Sequence, residues 1–290
     1  MSGPDGAEPA GLRFSVLGSG SSGNATYVEL DGWGLIIDAG YGAVELERRL
    51  ACVGRHLAGV RAILLTHEHH DHVRGLSSLT RRLPLTLVAT AATLKRVAAR
   101  IHPQTTLLSI RSGGHVALER LDVHAFPLVH DAADPVGFVL ERSGRRLGYL
   151  TDLGMISPPV LEALDPVEAL IMEANHDVET LERGPYPWPL KRRILAPTGH
   201  LSNEGLLSFL RRSRLERCRS LTLAHLSRTN NCPELALGSA LMGLEGRLLA
   251  EQLRCAPQDR PTPLETVGAA PEHAGRQRAA AATQLSFVYD

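Results

Sequence analysis

The feature that most constrains the fold of this chain is a cluster of metal-binding side chains directly after an apolar segment. Residues 62–66 read Ala-Ile-Leu-Leu-Thr, and the next six positions include His67, His69, His70, Asp71 and His72. The apolar segment is typical of a buried strand, whereas the polar residues after it fit a loop. Imidazole and carboxylate groups suit zinc or manganese. The pattern H-x-H-x-D-H therefore predicts a metal site at a strand end, rather than a solvated polar turn.

Four further apolar segments also end in a histidine or an acidic residue. These segments are 123–129 before His130, 146–151 before Asp152, 170–172 before Glu173, and 221–224 before His225. A single histidine after a strand is more often a surface or capping residue than a ligand. Because the pattern recurs, we expect one rim of a sheet to carry the metal site.

Short apolar runs alternate with amphipathic segments from Leu12 to about Leu253, which predicts an α/β layered fold. The predicted strands are 13–17, 25–30, 34–38, 62–66, 85–89, 121–127, 137–142, 146–151, 169–173 and 220–226. The predicted helices are 44–53, 73–83, 91–100, 203–215 and 234–253. We expect one domain over residues 12–256, a disordered tail over residues 1–11, and a flexible tail over residues 257–290.

Composition and missing motifs exclude several classes of function. Lys plus Arg (31) equals Asp plus Glu (31), so no global positive field attracts nucleic acid. The four cysteines form no C-x-x-C pair, and neither a signal peptide nor a long apolar span is present, which predicts a soluble cytoplasmic protein without membrane contact. The sequence also lacks the glycine-rich, Walker and nucleophile-elbow motifs of oxidoreductases, kinases and serine hydrolases.

With H-x-H-x-D-H, His130, Asp152 and His225 in this order, the chain resembles the metallo-β-lactamase fold hydrolases. The resemblance implies an αββα sandwich, in which helices flank two mixed β-sheets and a dinuclear metal site lies at the sheet edge. It implies two divalent ions, zinc or manganese, and a metal-bridging hydroxide as nucleophile. The implied ligands are His67, His69 and His130 for the first ion and Asp71, His72 and His225 for the second, with Asp152 bridging both. Asp71 is also assigned a catalytic role.

Six segments resemble the bacterial WalJ/YycJ branch of this family: 18–24, 130–135, 151–154, 173–177, 184–193 and 199–203. That resemblance implies a metal-dependent phosphodiester hydrolase, specifically a 5′-to-3′ exonuclease with DNA as its partner. Two alternatives stay open. The neutral net charge favours a small-molecule hydrolase of the same fold, such as a cyclic phosphodiesterase, thioesterase or lactonase. A metal-stabilised scaffold without activity is the other.

Two histidines that the metal site does not need, His176 and His200, lie in polar loops. We expect them to contact a phosphate oxygen or to protonate the leaving alkoxide, although capping or supporting hydrogen bonds are the alternative. His70 is expected to point away from the metals. The segment 18–24 is either a tight β-turn or a turn whose N–H groups face a phosphate, with Asn24 as a substrate contact.

Two more segments suggest contacts with DNA and with a partner protein. Lys191, Arg192 and Arg193 are expected to bind the phosphate backbone, because Tyr186 and Trp188 beside them can stack an unpaired base. Residues Gln284–Val288 are more apolar than the tail around them. They resemble, with departures, the pentapeptide by which bacterial DNA-processing proteins bind the replication sliding clamp. An edge strand or a plain terminus is the alternative.

Overall fold

The computed structural model describes residues 11–119, 121–247 and 252–269, which contain two seven-stranded sheets. The strands of the first sheet are β1 (Leu12–Gly18), β2 (Ala25–Leu30), β3 (Trp33–Ile37), β4 (Val60–Leu64), β5 (Thr86–Ala89), β6 (Thr106–Ser109) and β14 (Glu265–Thr266). The strands of the second are β7 (His115–Leu118), β8 (Leu121–Pro127), β9 (Val136–Arg142), β10 (Arg145–Leu150), β11 (Ala169–Glu173), β12 (Ser220–Ala224) and β13 (Leu253–Cys255).

Each sheet joins an antiparallel half to a parallel half. The first sheet has the order β14-β1-β2-β3-β4-β5-β6 and is parallel from β3 to β6. The second has the order β13-β12-β11-β10-β9-β8-β7 and is parallel from β10 to β13. Parallel neighbours end at the same edge of a sheet, so the residues that follow β10, β11 and β12 are brought together.

Helices cover the outer face of both sheets. They are α1 (Ala43–Ala51), α2 (His70–Val73), α3 (Leu76–Arg82), α4 (Ala91–Val97), α5 (Pro158–Ala163), α6 (Val178–Arg183), α7 (Trp188–Leu195), α8 (Asn203–Arg212) and α9 (Pro233–Leu244). None of the helices in the described ranges is long and apolar enough to span a membrane.

Alternating side chains of the strands build the core between the sheets. Leu35 and Ile37 of β3 pack in the same cluster as Phe138 of β9 and Ile171 of β11. Ile36, which points the other way, packs in the cluster that contains the helix residue Leu46. This period of two is what a strand buried on both faces requires. The αββα sandwich expected from the sequence is thereby confirmed.

The expected flexible tail from residue 257 onwards is wrong for residues 257–269. Thr262 Oγ1 accepts a hydrogen bond from Val16 N at 3.0 Å, Ser15 Oγ donates to Thr262 O at 2.7 Å, and β14 pairs with β1. These contacts join segments about 250 positions apart in the chain, so no local sequence pattern predicts them. Residues 1–10, 270–290 and with them the clamp-like segment Gln284–Val288 lie outside the described residues.

Candidate metal centre

The histidines and carboxylates singled out in the sequence follow the ends of four strands. His67 comes three residues after β4, His130 three residues after β8, Asp152 two residues after β10 and His225 directly after β12. The loop that carries His67 to His72 is fixed by backbone hydrogen bonds from Asn24 N to Asp71 O and from Ala39 N to His72 O. The cluster therefore rests on both sheets.

The first group of ligands is His67, His69 and His130, whose coordinating atoms all lie within 4.8 Å of one another. His130 Nε2 is 3.2 Å from His69 Nδ1. The ring centroids of His67 and His69 are 4.6 Å apart. Three imidazoles at this spacing match the N-ligand sets of zinc and similar ions.

The second group is Asp71, His72 and His225. Asp71 Oδ2 lies 3.5 Å from His72 Nε2 and 3.6 Å from His225 Nε2. Asp152 connects the two groups, because its Oδ2 is 3.1 Å from His72 Nε2 and its Oδ1 is 3.9 Å from His130 Nε2. The structure thus brings together all seven side chains that the sequence suggests as ligands.

Several buried atoms of these residues could bind a metal ion and have no hydrogen-bond partner. His67 Nε2, His225 Nε2 and Asp152 Oδ2 are buried, and none makes a hydrogen bond within the described ranges. Buried polar atoms are nearly always paired, so these three atoms indicate missing partners. Two divalent cations would satisfy them, one at His67 and one at His225, with Asp152 beside both. His70 is exposed and belongs to none of the ligand groups, as expected.

Two buried carboxylates hold the histidines in place. The sequence alone did not predict this role for either of them. Asp38 Oδ2 lies 2.8 Å from His72 Nδ1. Glu173 Oε1 lies 2.8 Å from Nδ1 of both His225 and His200. With the proton placed on Nδ1, the Nε2 lone pair of each ring is left for an ion or a substrate, the usual arrangement around metal-binding histidines.

Glu173 also has its second oxygen occupied. Oε2 accepts hydrogen bonds from the backbone N–H groups of Leu153 and Leu201, each at 3.0 Å. Burial alone would raise the pKa of Glu173, but the adjoining His200 and His225 lower it to about 2. The side chain is therefore an ionised support beneath the two imidazoles.

The protonation states also suit metal binding. Burial and the neighbouring His72 hold the pKa of His67 well below its usual value. Burial opposes charge on Asp71 and Asp152, yet His225 and His72 lower the pKa of both carboxyl groups. For His72, burial lowers and Asp152 and Asp38 raise the pKa, with a net increase. A bound cation would take the place of that proton beside Asp152.

Three residues at the site adopt left-handed backbone conformations although they are not glycine. Asp38 has φ 63°, Asp152 has φ 62° and His225 has φ 56°. Such conformations are uncommon for residues with a Cβ atom and persist where the surroundings impose them. All three follow a strand end, so the backbone turns sharply there and directs the side chain into the cluster.

The expected substrate contact Asn24 has a supporting role instead. Its side chain is buried, its Oδ1 accepts from Gly20 N at 2.8 Å, and its Nδ2 lies 3.1 Å from Asp71 Oδ2. Neighbouring Gly40 has no room for a side chain, because a Cβ there would lie 2.1 Å from Asp71 O. The turn at 18–24 therefore closes on itself and positions Asp71.

His176 and Lys191 also differ from their expected roles. His176 is only 1% exposed and its backbone bridges to Ser202, so a substrate has no access to its ring. Lys191 is 6% exposed and its Nζ donates to Glu182 O at 2.7 Å, which removes it as a phosphate contact. His176 was expected in a polar loop, and Lys191, which was expected to bind phosphate, lies in α7 with its side chain buried.

The remaining expected substrate residues are accessible. His200 keeps 22% of its side chain exposed, and its ring centroid lies 5.3 Å from that of His130. Arg192 is exposed, and Arg193 Nε lies 2.7 Å from Oδ2 of Asp131. Asp131 Oδ1 in turn lies 3.4 Å from His130 Nε2. Arg193 therefore borders the ligand cluster.

Comparison with known proteins agrees with this geometry. The model of the Beta-lactamase superfamily domain matches residues 34–225, a stretch that begins in β3 and ends at His225. The protein belongs to the metallo-β-lactamase superfamily. The protein is a hydrolase, and the family generally binds divalent metals such as zinc.

Two relatives and one solved structure show what this chain is similar to. The exodeoxyribonuclease YycJ of Bacillus anthracis is 37% identical over 237 residues, which cover 81% of this chain and 90% of that protein. The exodeoxyribonuclease WalJ of Streptococcus pneumoniae is 34% identical over 231 residues, covering 78% and 86%. The metallo-β-lactamase fold protein YhfI of Bacillus subtilis superposes with a TM-score of 0.68 over 87% of this chain and 99% of its own, at 13% identity, which is a likeness of fold.

Proposed function

We propose that this protein is a metal-dependent nuclease that hydrolyses DNA from a 5′ end. The observation that carries the proposal is the meeting of two three-residue ligand groups at Asp152. Support for DNA comes from the two relatives named as exodeoxyribonucleases, which align with most of the chain. We propose that this chain shares their action on DNA and that hydrolysis runs in the 5′-to-3′ direction.

The proposed centre holds two ions of zinc or manganese. The residues that would hold them are His67, His69 and His130 for one, Asp71, His72 and His225 for the other, and Asp152 for both. The chemistry that two such ions supply is the activation of water near neutral pH and the stabilisation of charge on the phosphodiester oxygens.

His200 is the residue of the chain proposed to move a proton. Its Nδ1 is held by Glu173 at 2.8 Å, so the partly exposed ring presents Nε2 to the substrate side. Burial lowers the pKa of His200, but the Glu173 carboxylate raises it by more. The pKa is therefore higher than that of a free histidine. A protonated imidazole in that position can donate to the leaving oxygen when the phosphodiester breaks.

Asp71 contributes charge rather than proton transfer. Burial raises its pKa, but the adjoining His225 and His72 lower it by more, so the carboxylate stays ionised at neutral pH. Asn24 Nδ2 holds one of its oxygens at 3.1 Å. We therefore assign Asp71 the role of a negatively charged metal ligand, and this is its contribution to catalysis.

The test is hydrolysis of DNA carrying a label at one end. Purified protein is loaded with Mn²⁺ or Zn²⁺ and incubated with single-stranded and duplex oligonucleotides labelled at the 5′ or the 3′ end. The proposal predicts that the 5′ label is released first as a mononucleotide or short fragment. Release of the 3′ label first would refute the direction. Turnover of a cyclic phosphodiester, thioester or lactone with intact DNA would instead identify a small-molecule hydrolase.

A further inference from the structure

Trp188 exposes an aromatic ring on the helix that borders the candidate metal centre. It is the first residue of α7 and is 61% exposed. Two prolines, Pro187 and Pro189, flank it and restrict the backbone on both sides. The indole ring therefore projects from a stiff segment.

Lys191 supports the ring from one side. Its Nζ lies 5.3 Å from the centroid of the Trp188 ring, within the range of a cation–π contact. The ammonium group is buried and is tied to Glu182 O at 2.7 Å, so it stays in place. Because one face of the ring is occupied by this cation, the exposed area must come from the other face and the edge. A flat aromatic surface is thus ready to receive a planar group.

The helix that carries Trp188 also borders the metal centre. Arg193, five residues further along α7, pairs with Asp131 at 2.7 Å, and Asp131 lies 3.4 Å from His130 Nε2. A helix rises about 1.5 Å per residue, so Trp188 and Arg193 are about 7.5 Å apart along the axis. This axial offset between Trp188 and Arg193 corresponds to about two stacked nucleotides, at about 3.4 Å each.

We propose that Trp188 is a stacking platform for an unpaired base of a DNA strand whose end lies in the metal centre. The inference rests on the proposed nuclease function and adds its substrate class, single-stranded DNA. It also changes the role expected of Lys191, which holds the platform and does not bind phosphate. Stacking on an aromatic ring accepts any base, as a non-specific exonuclease requires.

Binding of dT12 to the metal-loaded, full-length protein tests the platform without the need for cleavage. The chain has two tryptophans, so Trp33→Phe leaves Trp188 as the sole fluorescent indole. We expect saturable quenching of that fluorescence by dT12. Anisotropy of labelled dT12 should show a Kd about 5- to 150-fold higher for Trp188→Ala, the range that the loss of one stacked base corresponds to. Trp188→Phe should restore most of the affinity.

Controls separate the platform from general effects of mutation. Met242→Ala removes a residue of similar exposure, 62%, from α9, and should leave the Kd unchanged. Lys191→Met should raise the Kd less than Trp188→Ala does, because the ring remains but loses its support.

The two proposals fail in different ways. An unchanged Kd for Trp188→Ala, or no quenching in Trp33→Phe, overturns the platform, whether or not DNA is cleaved. Intact DNA after incubation with wild-type protein, combined with quenching and a raised Kd in Trp188→Ala, contradicts the nuclease function and supports the platform. If DNA is cleaved, Trp188→Ala should raise KM for single-stranded DNA more than it lowers kcat, and an unchanged KM counts against the platform alone.

Discussion

Asp38 Oδ2 lies 2.8 Å from Nδ1 of His72, and neither side chain is exposed to solvent. The carboxylate is itself fixed, since Thr66 donates to it from its backbone N–H at 2.9 Å and from its hydroxyl at 3.0 Å. Thr66 directly precedes the first ligand, His67. One buried carboxylate therefore couples the end of β4 to a ligand of the second group.

Replacing that carboxylate should weaken metal binding without removing a ligand. Asp38→Asn keeps the size of the side chain but loses the charge that orients His72, and we expect a 10- to 100-fold lower metal affinity, as is typical for such supporting groups. Competition against a chromogenic chelator measures it. Asp122→Asn, at an exposed position of β8, is the matched control. Equal affinities for the two variants would contradict a supporting role of Asp38.

Loss of the carboxylate between the two ligand groups should have the largest effect. Asp152→Ala removes the only carboxylate proposed to touch both ions, so we expect fewer ions per chain and near-complete loss of DNA hydrolysis. Elemental analysis after metal-replete expression gives the ion count. A full complement of ions in this variant would refute the bridging role.

His200→Ala should separate metal binding from chemistry. Since His200 is proposed to donate a proton and not to bind an ion, the variant should keep the wild-type metal content. The rate of DNA hydrolysis should fall by roughly 10²- to 10⁴-fold, the usual contribution of a proton-transfer group. Lower metal content in His200→Ala would assign the residue to the ligands instead.

The sequence predicted the ligands because they are local to strand ends, and it failed where roles depend on neighbours that are distant in the chain. The strands 121–127 and 169–173 were predicted with the bounds that the structure has, and all seven expected ligands meet. Asp38 was missed because the predicted strand 34–38 includes it, and its place beside His72 depends on the parallel pairing of β3 with β4.

Other errors have similar physical causes. No helix was predicted near Lys191, but proline is tolerated in the first turn of a helix, and α7 begins in the proline-rich segment before it. The helical periodicity then turns Lys191 inward and leaves Arg192 and Arg193 exposed. The predicted helix 234–253 ends at Leu244, where Glu245 adopts a left-handed conformation with φ 51°. Strands of two or three residues, such as β13 and β14, are too short to show any periodicity.

A buried ion cluster on the first sheet should make stability depend on pH. Glu29 is 2% exposed and accepts hydrogen bonds from Arg55 Nε at 2.6 Å and Tyr27 Oη at 3.0 Å. Burial raises the pKa of Glu29, but Arg55, Tyr27 and Arg13 lower it below its ordinary value of 4.5. The stabilisation is therefore fully present above pH 4.5 and is lost as the pH falls through the lowered pKa.

Glu29→Gln tests that dependence. At pH 7 the variant should lose about 3 kcal/mol of unfolding free energy, because position 29 no longer offers a negative charge to Arg13 and Arg55. The difference from wild type should shrink as the pH falls below 4.5. Urea unfolding of the metal-free proteins at several pH values measures it, so that acid release of metal does not contribute. A difference that is constant with pH would show that the charge of Glu29 does not stabilise the fold.

The most direct test of a two-ion nuclease is a titration of metal-free protein with Mn²⁺, in which bound ions and the rate of DNA hydrolysis are measured on the same samples. We predict two ions bound per chain and a rate that rises mainly with the second. Full hydrolysis with one ion per chain, or hydrolysis that persists when no ion is bound, would contradict the account.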